Sequence, residues 1–119
     1  MSISALHERS PLSVTLSDGS VRNDYTVRFL NKAGVSRSFA LEVLGVPAAE
    51  IRASGIERNA DGKLIVEVGP DQSREFRVLV NNYEFAPPSS TPITFHLRDL
   101  ASGVWAQAHD NFRAPERPK

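Results

Sequence analysis

Two runs of alternating apolar and polar residues, 23–32 and 37–43, constrain the fold more than any other feature of the chain. Tyr25, Val27 and Phe29 take every second position of the first run, and Phe39, Leu41 and Val43 every second position of the second. A period of two puts those side chains on one face of a pleated strand and turns Thr26, Arg28, Ser38 and Glu42 to the other. Ser17-Asp18-Gly19-Ser20 before the first run and Ala33-Gly34 between the two read as turns. The expected unit is a pair of adjacent antiparallel strands, apolar inside and wet outside.

The same period recurs on both sides of that unit. Leu12, Val14 and Leu16 predict a first strand, placed at a sheet edge because Pro11 has no amide to give to a ladder. Leu64, Val66 and Val68 follow the turn residues Asn59-Ala60-Asp61-Gly62, and Phe76, Val78 and Val80 follow a loop at 69–73 that is long enough to cross between sheets. Pro87, Pro88 and Pro92 make residues 86–92 a stiff, exposed connection. Beyond it come Ile93, Phe95 and Leu97. Residues 48–53 fit either a short strand or a single helical turn. Residues 1–10 and 114–119 lack the period and read as tails, so the domain is expected over 11–113. About seven short strands without an amphipathic helix point to a two-sheet sandwich of immunoglobulin or fibronectin type III character, with a closed barrel as the alternative.

The last hairpin has two possible registers. A type I turn with Gly103 in the left-handed bulge position sets Leu100 against Val104 and turns Trp105 inward beside Leu97. A plain two-residue loop packs Ala106 and Ala108 beneath Leu97 and Phe95 and leaves Trp105 outside near Arg98, within reach of a cation–π contact.

A chain of 119 residues has the length of one ordinary domain. It buries roughly two thirds of its unfolded surface and needs neither metal nor disulfide to fold. Its 14 basic and 14 acidic residues cancel, which argues against a dedicated nucleic-acid or anionic-membrane surface. Cysteine is absent, which excludes disulfides, a thiol nucleophile and thiolate ligands for zinc or iron–sulfur clusters within the chain. No apolar run approaches the roughly 20 residues that span a bilayer, and residues 1–11 lack the apolar centre of a signal peptide. If the protein is exported, this chain is expected to be a piece of something longer.

The chemistry-bearing residues are sparse. His7, His96 and His109 have no metal-site spacing, and neighbouring His109 and Asp110 point to opposite faces of a strand. No serine sits in a Gly-x-Ser-x-Gly elbow, and no glycine cluster makes a phosphate cradle. Asp18, Asp61 and Asp71 fall one to a loop, which is turn chemistry rather than a calcium ligand set. No catalytic, cofactor-binding or metal-binding residue is therefore expected. The run Arg22-Asn23-Asp24 before Tyr25 reads as structural: Asn and Asp cap turn amides while a buried Tyr hydroxyl finds a backbone partner. Tyr83, Phe85 and Trp105 are the candidate protein contacts, since aromatic side chains are enriched in interface hot spots.

The sequence Leu16-Ser17-Asp18-Gly19-Ser20-x-Arg22-Asn23-x-Tyr25-Thr26, then Asn31-Lys32, with Phe95-His96-Leu97-Arg98-Asp99 later, resembles the C-terminal immunoglobulin-like domain of the FixG/CcoG (RdxA) family. The resemblance runs over residues 9–113. It implies a parent protein of the inner membrane with several helical spans and cysteine motifs for two 4Fe-4S clusters. Such parents assist assembly of the cbb3-type cytochrome c oxidase, with a role in reducing copper, and hold this domain on the periplasmic side. The cluster cysteines have no counterpart here, so what carries over is the structural signature Ser17, Asp18, Gly19, Arg22, Asn23, Tyr25, Asn31 and Lys32. The resemblance thus implies a non-catalytic interaction or positioning domain on the periplasmic face of the bacterial inner membrane. Its partners would be oxidase assembly components or the rest of the parent chain, with no nucleic acid, and it would meet the membrane only through the missing part. A generic extracytoplasmic ligand- or carbohydrate-binding module is the alternative, and it requires Trp105, Tyr83 or Phe85 exposed and arranged to stack on sugar.

Overall fold

A strand with one apolar face must bury that face against a second layer, and the period-two segments do so by forming two antiparallel sheets. The structure, a computed structural model, describes residues 2–7, 13–32, 34–46, 49–56, 58–59, 63–83 and 90–114. The strands are β1 (Ser2–His7), β2 (Val14–Thr15), β3 (Val21–Leu30), β4 (Arg37–Leu44), β5 (Ala49–Ala53), β6 (Leu64–Val68), β7 (Ser73–Asn82), β8 (Ser90–Asp99) and β9 (Trp105–Arg113). Sheet I has the order β1-β3-β7-β5, with β2 also paired to β3, and sheet II has the order β6-β4-β8-β9. The architecture is the expected immunoglobulin-like sandwich, with nine strands among the described residues.

Between the sheets lie Tyr25, Val27, Phe29, Phe39, Leu41, Leu64, Val66, Val68, Phe76, Val78, Val80, Ile93, Phe95 and Leu97, all buried as their parity requires. Edge-to-face rings bridge the layers: Phe29 meets Phe39 at 4.4 Å between centroids, and Tyr25 meets Phe95 at 5.0 Å. Val14, Leu16 and Val43 are only half-buried: Val14 and Leu16 lie in and just after the two-residue strand β2, and Val43 is next to the last residue of β4. Leu12 lies outside the described residues.

Tertiary pairing departs from the sequence reading at two places and decides two more that the sequence left open. First, β3 and β4 belong to opposite sheets and face each other across the core, so they are not a hydrogen-bonded pair. Asn31 explains the crossing: its amide nitrogen lies 3.1 Å from the carbonyls of Val35, Val68 and Gly69, clamping the loop after β3 to the loop after β6. Second, the segment read as an N-terminal tail contains β1, which runs antiparallel to β3 from Ser2 opposite Leu30 to His7 opposite Tyr25. Its inward residues Ile3 and Ala5 pack on the core. The strand expected at 12–16 shortens to β2. Third, the ambiguous segment after Pro47 is strand β5, paired to β7 at the open edge of sheet I. Fourth, of the two registers open for β8–β9 the chain adopts the one that leaves Trp105 outside, with Arg98 opposite Trp105, Leu97 opposite Ala106 and Phe95 opposite Ala108. The loop itself is neither of those expected: residues 100–103 form it, Asp99 N donates to Val104 O at 2.7 Å, and Gly103 has φ 76°. Asp99 Oδ1 accepts from the amides of Ala101 and Ser102, which fixes the loop from within.

Candidate functional site

The inward register of β3 holds one polar residue among Val21, Tyr25, Val27 and Phe29, and it is Asn23, fully buried. A buried amide must be satisfied. Asn23 Nδ2 donates to Arg113 O and its Oδ1 accepts from Arg113 N, both at 2.8 Å. Tyr25 donates its hydroxyl to Asn111 O at 2.7 Å. These groups of β9 point away from β8, so Asn23 and Tyr25 take the place of a missing neighbour strand and tie sheet I to sheet II. Burial, helped by the nearby Asp110 carboxylate, pushes the Tyr25 hydroxyl far above the usual phenol range. His7 covers this corner: it is 7% exposed, its ring lies 4.5 Å from that of Tyr25, and Nδ1 is 3.8 Å from Asp110 Oδ1. The sequence reading placed His7 in a tail; β1 carries it inside.

Several of the other signature residues are also architectural. Ser17, Asp18 and Gly19 form the β2–β3 turn, with Gly19 at φ 86°. Asp18 Oδ1 accepts from Ser20 N at 2.9 Å and from its hydroxyl, which holds the Asp18 carboxyl below its ordinary pKa. Asp24 joins Arg22 at 3.0 Å to Arg77 at 2.9 Å. Lys32 is exposed. Asp18 therefore caps a turn as expected, while Asn23 does not: its partner is 90 residues away. Its inward parity was the available signal that a buried partner existed.

The aromatic candidates separate. Tyr83 stands at the outer face of sheet I beside a shallow depression of about 240 Å³ lined by Leu16, Arg22, Glu50, Arg52, Leu79 and Asn81. Its hydroxyl donates to Glu50 Oε2 and accepts from Asn81 Nδ2, both at 3.1 Å. Hydrogen bonds from Arg52 and then Tyr83 hold the Glu50 carboxyl below its usual range, and the same bond to Glu50 raises the Tyr83 hydroxyl. Trp105 is half-exposed on the outer face of sheet II, and its ring rests on His96 at 5.1 Å rather than on Arg98. His109 Nδ1 shares a hydrogen bond with Thr94 Oγ1 at 3.1 Å. Tyr83 and Trp105 thus occupy opposite outer faces, and Phe85 lies outside the described residues. Among the described residues no three His, Cys, Asp or Glu side chains converge on a metal-sized space.

Residues 1–115 match the family model described as the IG-like fold at the C-terminus of FixG. The chain belongs to that family. This FixG-type domain is 38% identical over 81 residues to nitrogen fixation protein FixG of Rhizobium meliloti (strain 1021), an alignment covering 67% of the chain and 15% of that protein. It is 38% identical over 92 residues to protein RdxA of Cereibacter sphaeroides, covering 77% of the chain and 18% of RdxA. The chain therefore spans less than a fifth of these relatives. A crystal structure of a FixG-related protein from Vibrio parahaemolyticus has the same fold, with a TM-score of 0.78 over 96% of this chain and 95% of that one at 18% identity.

Proposed function

We propose that this FixG-type domain is a non-catalytic interaction and positioning module of a membrane-bound iron–sulfur protein that assists cbb3-type cytochrome c oxidase assembly and copper handling at the periplasmic face of the bacterial inner membrane. The observation that carries this reading is the family match over nearly the whole chain, in a domain whose distinctive polar residues are committed to its own backbone. The family description presents FixG as a candidate oxidoreductase. Iron–sulfur clusters need thiolates, and this chain has none, so its residues do not fit such a group and any cluster belongs to other parts of a parent protein.

The partner is a protein, and the contact surface is the outer face of sheet I around Tyr83 together with Phe85, which lies outside the described residues. A carbohydrate platform is less well supported, because Tyr83 and Trp105 lie on opposite faces and the Trp105 ring is already covered on one side by His96. The test is Tyr83→Ser with Phe85→Ser in the full-length parent, with the fold checked by thermal melting. Oxidase assembly should fall while the melt stays put; normal assembly removes this surface, and normal assembly after deleting the whole domain removes the functional reading.

A further inference from the structure

At the end of the sandwich where β3 passes to β4 and β8 to β9, large apolar side chains stand exposed beside the polar Lys32 and Ser36. Val35, Leu100 and Val104 are 56%, 50% and 56% exposed, and Trp105 adjoins them on the outer face of sheet II at 55%. Val35, Leu100 and Ala101 line a groove of about 530 Å³ with Ser36, Arg37 and Ser38. The one cation of that groove, Arg37, is turned to Asp99 at 3.5 Å, and residues 100–105 carry no charge. Large apolar side chains gathered on one exposed end mark a contact surface rather than ordinary scatter.

The path of β1 identifies what reaches this end. Ser2 pairs with Leu30, so the chain enters beside the patch, at the end opposite the Asp18 turn. The alignments cover only 15% and 18% of FixG and RdxA, and the family fold is C-terminal in FixG, so in such proteins a much longer preceding chain arrives here. Resting on the reading under Proposed function, we infer that the Val35–Leu100–Val104 end docks against the part of a FixG-type parent that precedes this domain. The patch offers on the order of a few hundred Å², below the roughly 800 Å² per partner of a stable free complex. A tether supplies an effective concentration in the mM range, which makes so small a surface sufficient within one chain and insufficient between free copies.

Hydrogen exchange of the isolated 119-residue chain and of the full-length parent tests this directly. Amides of 34–36 and 100–104 should exchange about fivefold slower in the parent, and Val35→Lys with Leu100→Lys should abolish that difference while leaving the melt of the isolated chain unchanged. Equal exchange in both proteins overturns the inference. So does a blue shift of Trp105, the sole tryptophan, when the isolated chain meets phosphatidylethanolamine/phosphatidylglycerol vesicles, since a bilayer then covers the patch. A concentration-dependent dimer of the isolated chain that the double-lysine variant dissolves also overturns it. The functional reading fails separately: protection in a parent without iron–sulfur motifs sinks that reading and leaves the docking intact, whereas a parent with those motifs and no protection does the reverse.

Discussion

Replacing Asn23 probes whether polar stitching holds the two sheets together along their β3–β9 side. Asn23→Ala removes two hydrogen bonds to the Arg113 backbone, each contributing about 1 kcal/mol net. It also leaves a cavity of about three heavy atoms in a fully buried site. The sum is about 2 to 3 kcal/mol, which for a chain of this length lowers the melting temperature by roughly 6 to 15 °C. Asn23→Asp keeps the shape but sets a carboxylate oxygen against Arg113 O with no proton between them. The folded state then raises the pKa of that carboxyl, so the penalty is fully present at neutral pH and shrinks as falling pH restores a donor. Thermal melts at pH 7 and about pH 4.5 should show the gap to the parent narrowing. An alanine variant melting within about 2 °C of the parent, or an aspartate variant whose gap ignores pH, would refute the reasoning.

Phe29→Ala or Phe39→Ala should cost about 3 to 5 kcal/mol by denaturant titration, because each ring is the other's partner across the core. For Asp99, burial opposes the charged form, but hydrogen bonds from Ala101 and Ser102 and the charge of Arg37 outweigh it and lower its pKa. Its stabilisation is therefore present above the ordinary carboxylate range near 4 and lost as pH falls below it. Asp99→Asn should melt below the parent at pH 7 and converge with it in acid. Gly45→Ala should destabilise by about 2 to 4 kcal/mol in the same titration, since φ is 111° and the added Cβ would meet the carbonyl oxygen of Pro92.

Period-two alternation was legible wherever the inward residues are large and apolar. Tyr25, Val27, Phe29, Phe39, Leu41, Val66 and Val78 declare their facing without help from the rest of the chain, because side-chain direction in a strand is a local property. β1 escaped because its inward residues are Ile3, Ala5 and His7, of which only one is strongly hydrophobic. Its strand conformation comes from the β3 edge it joins. β5 is similar: four of its five residues are half-buried, and it exists by pairing with β7. Asn23 and Asn31 were visible as polar residues in the inward register, but their acceptors lie as far as 90 residues away.

By itself, then, the sequence determined which face is buried in those strands whose inward residues are large and apolar. Only the tertiary structure decided that β3 and β4 belong to different sheets, that Trp105 rests on His96, and that the chain enters beside Val35, Leu100 and Val104. An alternating pattern specifies which face is buried but not against which strand. That choice is made by the packing free energy of segments remote in sequence, and no local spacing records it.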